Sequence, residues 1–208
     1  MRHKVFILLI TLSFVLTGYS IGAGWSEIFQ FSPASFNVQQ LSRDGRIFTL
    51  LTTGSNPQLN RYRLSVNYTQ EIGKPLLPVY QFTLVIPQGM RVRSVDITPD
   101  EPFTIPAENL PFPAQPPVPI SQRNLPKFVE PEPTVYQGTT LWPENLFSVS
   151  PVGIKSGFRL VTVTLYPVRY DPQNRSYLIA TKLKVSLTYE PDPFAENIIL
   201  TEKQHKLF

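Results

Sequence analysis

The chain has 208 residues, 22 of them proline, with no cysteine, two histidines and a formal net charge of +4. The histidines are His3 and His205, so the body of the chain has neither the Cys–His nor the Ser–His pairs of nucleophilic catalysis, nor the ligands of a zinc site built on Cys or His. The charge is that of an ordinary surface rather than a nucleic-acid footprint, and a proline share well above the usual value of about 5% excludes a mainly helical architecture.

The N-terminus opens on Arg2, His3 and Lys4, continues with an apolar run over residues 5–16 and closes with small and turn residues from Gly18 to Ala23. That run is too short to cross a bilayer, and the three-part layout predicts a secretory signal peptide over 1–23, cut after Ala23. Removing Arg2 and Lys4 takes the net charge from +4 to +2. With no cysteine to carry a lipid, and with charges or prolines interrupting every later apolar run, the processed chain is expected to have no integral membrane segment. Its expected location is outside the cell, with the bacterial periplasm or cell surface in transit.

Strand signals follow. Phe29 and Phe31 alternate with polar neighbours, and Ser42-Arg43-Asp44-Gly45 predicts a hairpin turn before a strand from Arg46 to Leu51. Tyr62, Leu64, Val66 and Tyr68 share one face of a half-buried strand. Gly73-Lys74-Pro75-Leu76-Leu77-Pro78 leads into a strand over 79–86, and Pro87-Gln88-Gly89-Met90 turns the chain into another over 91–97. Val92 is out of phase with Val95 and Ile97, which predicts a bulge or a short strand.

Residues 99–137 hold eleven prolines, yet aromatic and aliphatic residues such as Phe103, Ile105, Phe112, Phe128 and Tyr136 are spread among them. A free linker has no use for such side chains, so a long ordered loop lying across the sheets is expected. The last third predicts one long hairpin, with arms 158–170 and 176–189 joined at Asp171-Pro172-Gln173-Asn174. Val161, Val163 and Leu165 would line the inside of one arm, and Leu183, Val185, Leu187 and Tyr189 that of the other. A hairpin alone is marginal and must pack on a second sheet. Only residues 195–208 have any helical leaning. Together these elements predict an all-β fold, an antiparallel β-sandwich of jelly-roll or immunoglobulin-like type with a long Pro-rich loop.

Chemistry is read mainly by exclusion, and no catalytic residue, metal site or cofactor is assigned. Asp96, Asp100 and Glu101 lie close together, but no spacing sets two of them across a cleft, and no complete calcium loop surrounds them. They read as exposed turn residues. Trp25 and Trp142 are the side chains able to stack on a sugar, against a loose end for Trp25 and loop packing for Trp142.

Three stretches then carry a resemblance. They are Gly73 to Pro78 with the strand running to Pro87-Gln88-Gly89, Pro111 to Ile120 around Pro113-Ala114-Gln115-Pro116-Pro117, and Leu165-Tyr166-Pro167-Val168-Arg169-Tyr170-Asp171-Pro172 followed by residues 183–189. In order and spacing these resemble the N-terminal propeptide of the gingipain-type cysteine proteases, peptidase family C25, over roughly residues 27–190. The resemblance implies a β-sandwich over 24–190 that keeps a cysteine protease latent and assists its folding, with 191–208 a tail or a linker to a following protease domain. The implied partner is that catalytic domain, in cis or in trans. Because the family includes proteases that cleave after Arg or Lys, a basic residue of the Pro-rich stretch is expected to occupy the specificity pocket. Arg123 and Lys127 are the candidates, against the reading that both are simply solvated. A stand-alone surface or carbohydrate-binding module is the alternative function.

Overall fold

Alternation of apolar and polar side chains favours strands, because successive residues of a strand point to opposite sides. The computed structural model describes residues 24–54, 64–100, 102–118 and 126–194. Its strands are β1 (Gly24–Gln30), β2 (Phe36–Arg43), β3 (Arg46–Thr53), β4 (Ser65–Tyr68), β5 (Pro78–Val85), β6 (Met90–Pro99), β7 (Pro102–Pro106), β8 (Phe147–Val149), β9 (Gly153–Lys155), β10 (Phe158–Leu165), β11 (Val168–Asp171), β12 (Ser176–Ala180) and β13 (Lys182–Pro191). They form sheets ordered β1-β13-β6, β4-β5-β10-β8 with β9 also on β10, and β11-β12-β7, together with the ribbon β2-β3. All strand pairs are antiparallel. No helix among the described residues is long and apolar enough to cross a membrane.

The core lies between the inner faces of β1-β13-β6 and β4-β5-β10-β8. Leu183, Val185 and Leu187 are buried on β13, and Val161, Val163 and Leu165 on β10. Aromatic rings bridge the two sheets: Trp25 and Phe29 of β1 lie 5.5 and 5.2 Å from Phe82 of β5, and Phe31 lies 5.2 Å from Tyr80. Trp25 is therefore no loose end, since it pairs with Leu187 inside β1 and packs on the core.

The predicted long hairpin is corrected by the structure. Its inward residues are buried as expected, but its two arms are not ladder partners along their length. Only β11 and β12 pair, from Asp171↔Ser176 to Val168↔Ile179. The arms break at Tyr166-Pro167 and at Thr181, after which β10 joins β5 and β13 joins β1 and β6. Proline supplies the reason on one arm: Pro167 has no N–H for a ladder, and its carbonyl accepts from Ala180 N at 2.8 Å.

Two local expectations hold. Asp44 and Gly45 both have positive φ, 50° and 75°, as a two-residue I′ turn requires, and they join β2 to β3. The phase slip at Val92 is a bulge: Thr188 pairs with Ser94 and Tyr189 with Val92, so Arg93 is the extra residue. One other is revised. The proline-rich stretch is not one loop, because its start is strand β7 on the edge of β12, and Pro133–Tyr136 is a single helical turn with proline in the first position. The helical leaning of 195–208 and Tyr62 of the Tyr62–Tyr68 face lie outside the described residues.

Several tyrosines are sealed in this core. Tyr80 and Tyr170 bury hydroxyls that have no hydrogen-bond partner among the described residues. Burial, with a smaller contribution from Tyr68, pushes the Tyr80 phenol up to about 12, and burial likewise raises Tyr136 and Tyr177. A raised phenol pKa means that the unfolded chain sheds protons first, from the ordinary 10.0 upward. Stability is therefore expected to be level below that value and to fall as the pH rises from 10 towards 12. Denaturant midpoints against pH check this, and phenolate absorbance from these residues should appear only with unfolding; free titration in the intact fold would contradict it.

A second expectation concerns packing. Leu187 is 1% exposed, so Leu187→Ala should destabilise the fold by about 2–5 kcal/mol. A denaturation midpoint equal to that of the parent would remove Leu187 from the core.

Candidate functional site

The region around the proline-rich stretch is built on the ribbon β2-β3 and on the turn at residues 73–76. Thr49 of β3 donates its N–H to Leu110 O and accepts from Phe112 N, both at 2.8 Å. Leu76 N donates to Phe112 O, while Gly73 N donates to Ala114 O and Ala114 N returns a bond to Lys74 O. Residues 110–114 are thus held on both sides, although their prolines prevent a regular ladder. Tyr136 closes this arrangement from the helical turn, donating its hydroxyl to Pro111 O at 2.9 Å.

Gln115 then ties the two ends of the following segment together. Its Oε1 accepts from Val129 N at 2.8 Å, and its Nε2 donates to Val129 O at 2.9 Å and to Pro113 O at 3.0 Å. One side chain satisfies both backbone groups of Val129 and so joins the two ends of the segment 116–128. Glu132 N donates to Gly73 O, so the returning chain is fixed as well.

An aromatic group carries the rest. Phe48, Phe112 and Phe128 meet pairwise at 5.8–5.9 Å between ring centres. The Arg43 guanidinium lies 5.7 Å from the Phe128 ring centre, and that of Arg46 lies 5.3 Å from Phe48 and 5.9 Å from Phe128. Arg46 also pairs with Glu130. Beside these residues a cleft of about 380 Å³ is lined by Arg46, Leu110, Tyr170 and Arg175, among others.

Lys127, between Pro126 and Phe128, is exposed. Arg123, Ala23 and Glu101 lie outside the described residues. Gly73 is buried with φ +81°, a conformation that suits glycine, and a Cβ there would stand 3.4 Å from Glu130 O. Pro75 bridges to Pro113, and Pro78 is buried at the start of β5. Pro87 and Gly89, with φ +73°, turn β5 into β6. Pro116 and Pro117 run along the loop, Pro116 half-buried and Pro117 exposed. Pro167, Tyr170 and Pro172 are buried around the β11–β12 hairpin. The quoted stretches are therefore mostly places where the backbone turns or is pinned. Asp96 and Asp100 are exposed; Ser94 donates to Asp96 at 3.1 Å, and Lys182 stands 3.6 Å from Asp100.

Sequence reasoning missed Gln115, Glu130 and the three-phenylalanine contact. Gln115 had a signal: it stands among prolines that offer no N–H, so its amide is the local donor able to reach a second segment. Phe48 and Phe128 are 80 residues apart, and nothing local links them.

The model of the family Propeptide_C25 matches residues 26–206. The chain belongs to this family. It is a propeptide domain related to gingipain-type cysteine endopeptidase precursors. Two solved structures share the fold of this C25 propeptide. One is the complex of Porphyromonas gingivalis RgpB pro- and mature domains, at 15% identity and TM-score 0.64, covering 92% of this chain and 90% of that one. The other comes from work on the zymogenic latency of gingipain K from Porphyromonas gingivalis, at 15% identity and TM-score 0.56, covering 81% of this chain and all of the other. No curated protein sequence matches the chain significantly. The C25 propeptide has no cysteine, and no group of His, Asp and Glu among its described residues could hold a metal ion.

The Gln115 clamp makes a measurable prediction. Gln115→Leu strips partners from both backbone groups of Val129 and should destabilise the domain by about 1–3 kcal/mol. Limited proteolysis should then nick the segment 116–128 faster than in the parent. Unchanged nicking would mean that the loop base is held by other contacts.

Proposed function

We propose that this domain holds a gingipain-type cysteine endopeptidase latent until processing, and assists its folding, by presenting the proline-rich loop to the protease cleft. The supporting observation is the closed loop base, in which Gln115 grips Val129 while Phe128 and Glu130 are held by Arg43, Arg46 and Phe48. A loop whose ends are already fixed loses less conformational freedom on docking, and a protease cleft accepts an extended segment. Arg123 and Lys127 both lie within this loop, and either supplies the cation for a pocket that selects basic side chains. Arg123 is preferred for its planar, five-donor guanidinium. Gly73 to Pro78 serves as the platform beneath the loop rather than as a recognition element.

The rest of the reading follows the same line. The chain is secreted behind a signal peptide cut after Ala23, residues 24–190 form the inhibitory β-sandwich of jelly-roll or immunoglobulin-like type, and 191–208 are a tail or a linker. The catalytic domain is engaged in cis before processing and in trans after it.

An inhibition assay on the separately expressed catalytic domain tests this, with parent, Arg123→Ala, Lys127→Ala and Lys74→Ala proteins. The parent should inhibit. Removing the residue that fills the pocket should weaken inhibition by about 2 kcal/mol or more, roughly thirtyfold. Lys74→Ala should stay within about tenfold of the parent, under 1.4 kcal/mol. Equal constants for all four proteins would eliminate the basic-residue model and leave steric covering as the means of latency. No inhibition by the parent would overturn the proposal.

A further inference from the structure

A second feature lies away from the loop, on the outer face of the sheet β4-β5-β10-β8. The inner face of β5 and β10 is core, so Gln81 and Thr164, which alternate with buried residues, point outward. Register sets Ser65, Gln81, Thr164 and Ser148 side by side across four strands. Their side chains join a hydrogen-bonded lattice: Asn67 Nδ2 donates to Gln81 Oε1 at 2.8 Å, Gln81 Nε2 donates to Thr164 Oγ1 at 3.1 Å, and Ser148 and Tyr166 share a bond of 2.9 Å. Over this lattice opens a groove of about 520 Å³ with Trp142, Tyr68 and Tyr166 in its walls. That volume is within the range of about 300–1,000 Å³ usual for small-ligand sites, but the lining is far more polar than usual.

Trp142 is a fixed platform. Its backbone N–H and C=O both bond Tyr170, and its indole N–H donates to Pro75 O at 3.2 Å. Lys74 already serves the cation-attracting part of this corner: its Nζ lies 4.4 Å from the Trp142 ring centre and 2.6 Å from Glu71. A cationic ligand would have to displace a paired lysine. An anionic one would meet Glu71 and Glu144, with no cation among the described residues of the lining. What remains is neutral. Gln70 and Asn145 line the mouth with amides that make no hydrogen bond among the described residues. Asn67 keeps its Oδ1 free for a further bond, and each of these amides both donates and accepts.

We propose that this groove binds a neutral, hydroxyl-rich oligosaccharide. Sugars present hydroxyls that donate and accept at once, which amides and hydroxyls answer in kind, and C–H faces that pack on aromatic rings. The groove shares no lining residue with the proline-rich stretch, so the site stands or falls apart from the latency reading.

The experiment is a nuclear magnetic resonance titration of the labelled full chain with neutral hexasaccharides of the α-glucan, β-glucan, β-mannan, xylan and chitin types. A lysine-rich peptide and a polyuronate serve as charged comparisons. At least one neutral hexasaccharide should saturably shift the Trp142 indole resonance together with groove amides, at concentrations up to about 10 mM, the weak end of specific binding. The double variant Gln70→Ala, Asn145→Ala should keep the parent melting temperature, because neither amide has a partner to lose, while its affinity falls by about tenfold or more. Three results would overturn the proposal: no saturable shift from any neutral sugar, shifts undiminished in the double variant, or tighter binding of either charged comparison in the groove.

Discussion

The chain does not run straight through Pro167 or through Thr181, and the arrangement of the sheets depends on those two breaks. Without them residues 158–191 would be one long ribbon, paired with itself and able to cover a single face. With them the same stretch yields four strands in three sheets: β10 between β5 and the short β8 and β9, β13 between β1 and β6, and β12 between β11 and β7. The last third of the sequence thus supplies an inner strand to each of these sheets. This explains why the strongest apolar alternation is found there. An inner strand has neighbours on both sides, and its inward residues are the most completely enclosed, as Val163, Leu165, Leu183 and Val185 are.

Much of this was legible in the sequence because it is local. Asp44-Gly45 encodes a turn through backbone conformation alone, and the slip at Val92 encodes a bulge through phase alone. The buried sets on β10 and β13 follow from period two. Partner choice was not legible, because alternation says which side of a strand is buried but not which strand lies beside it. The arms of the last hairpin were assigned to each other on that ground, and the proline at 167 was the signal against it. Trp25 was misplaced for a related reason: its partner Leu187 is far along the chain, and nothing near Trp25 announces it.

The functional surface divides in the same way. The family-like stretches were readable, and most of them lie where the backbone is turned or pinned. The residues that hold the proline-rich segment, Gln115, Phe128 and Glu130 together with Arg46, come from separate parts of the chain and meet only in three dimensions. Prolines forfeit ladder bonds, so such a segment is ordered by isolated backbone bonds to neighbouring turns together with side-chain bonds and ring contacts. Recognition by shape then becomes compatible with a stretch that forms almost no sheet.

The pairing of β1 with β13 sets the first described residues against nearly the last, with Ser26 facing Ser186 across 160 positions of sequence. A chain emerging N-terminus first therefore holds β1 without its ladder partner until almost the whole domain has been made. Contacts that distant pay their loop-closure entropy late and make folding slow. A truncation from either end therefore removes a strand from the same sheet, and that sheet is completed only when its two ends meet.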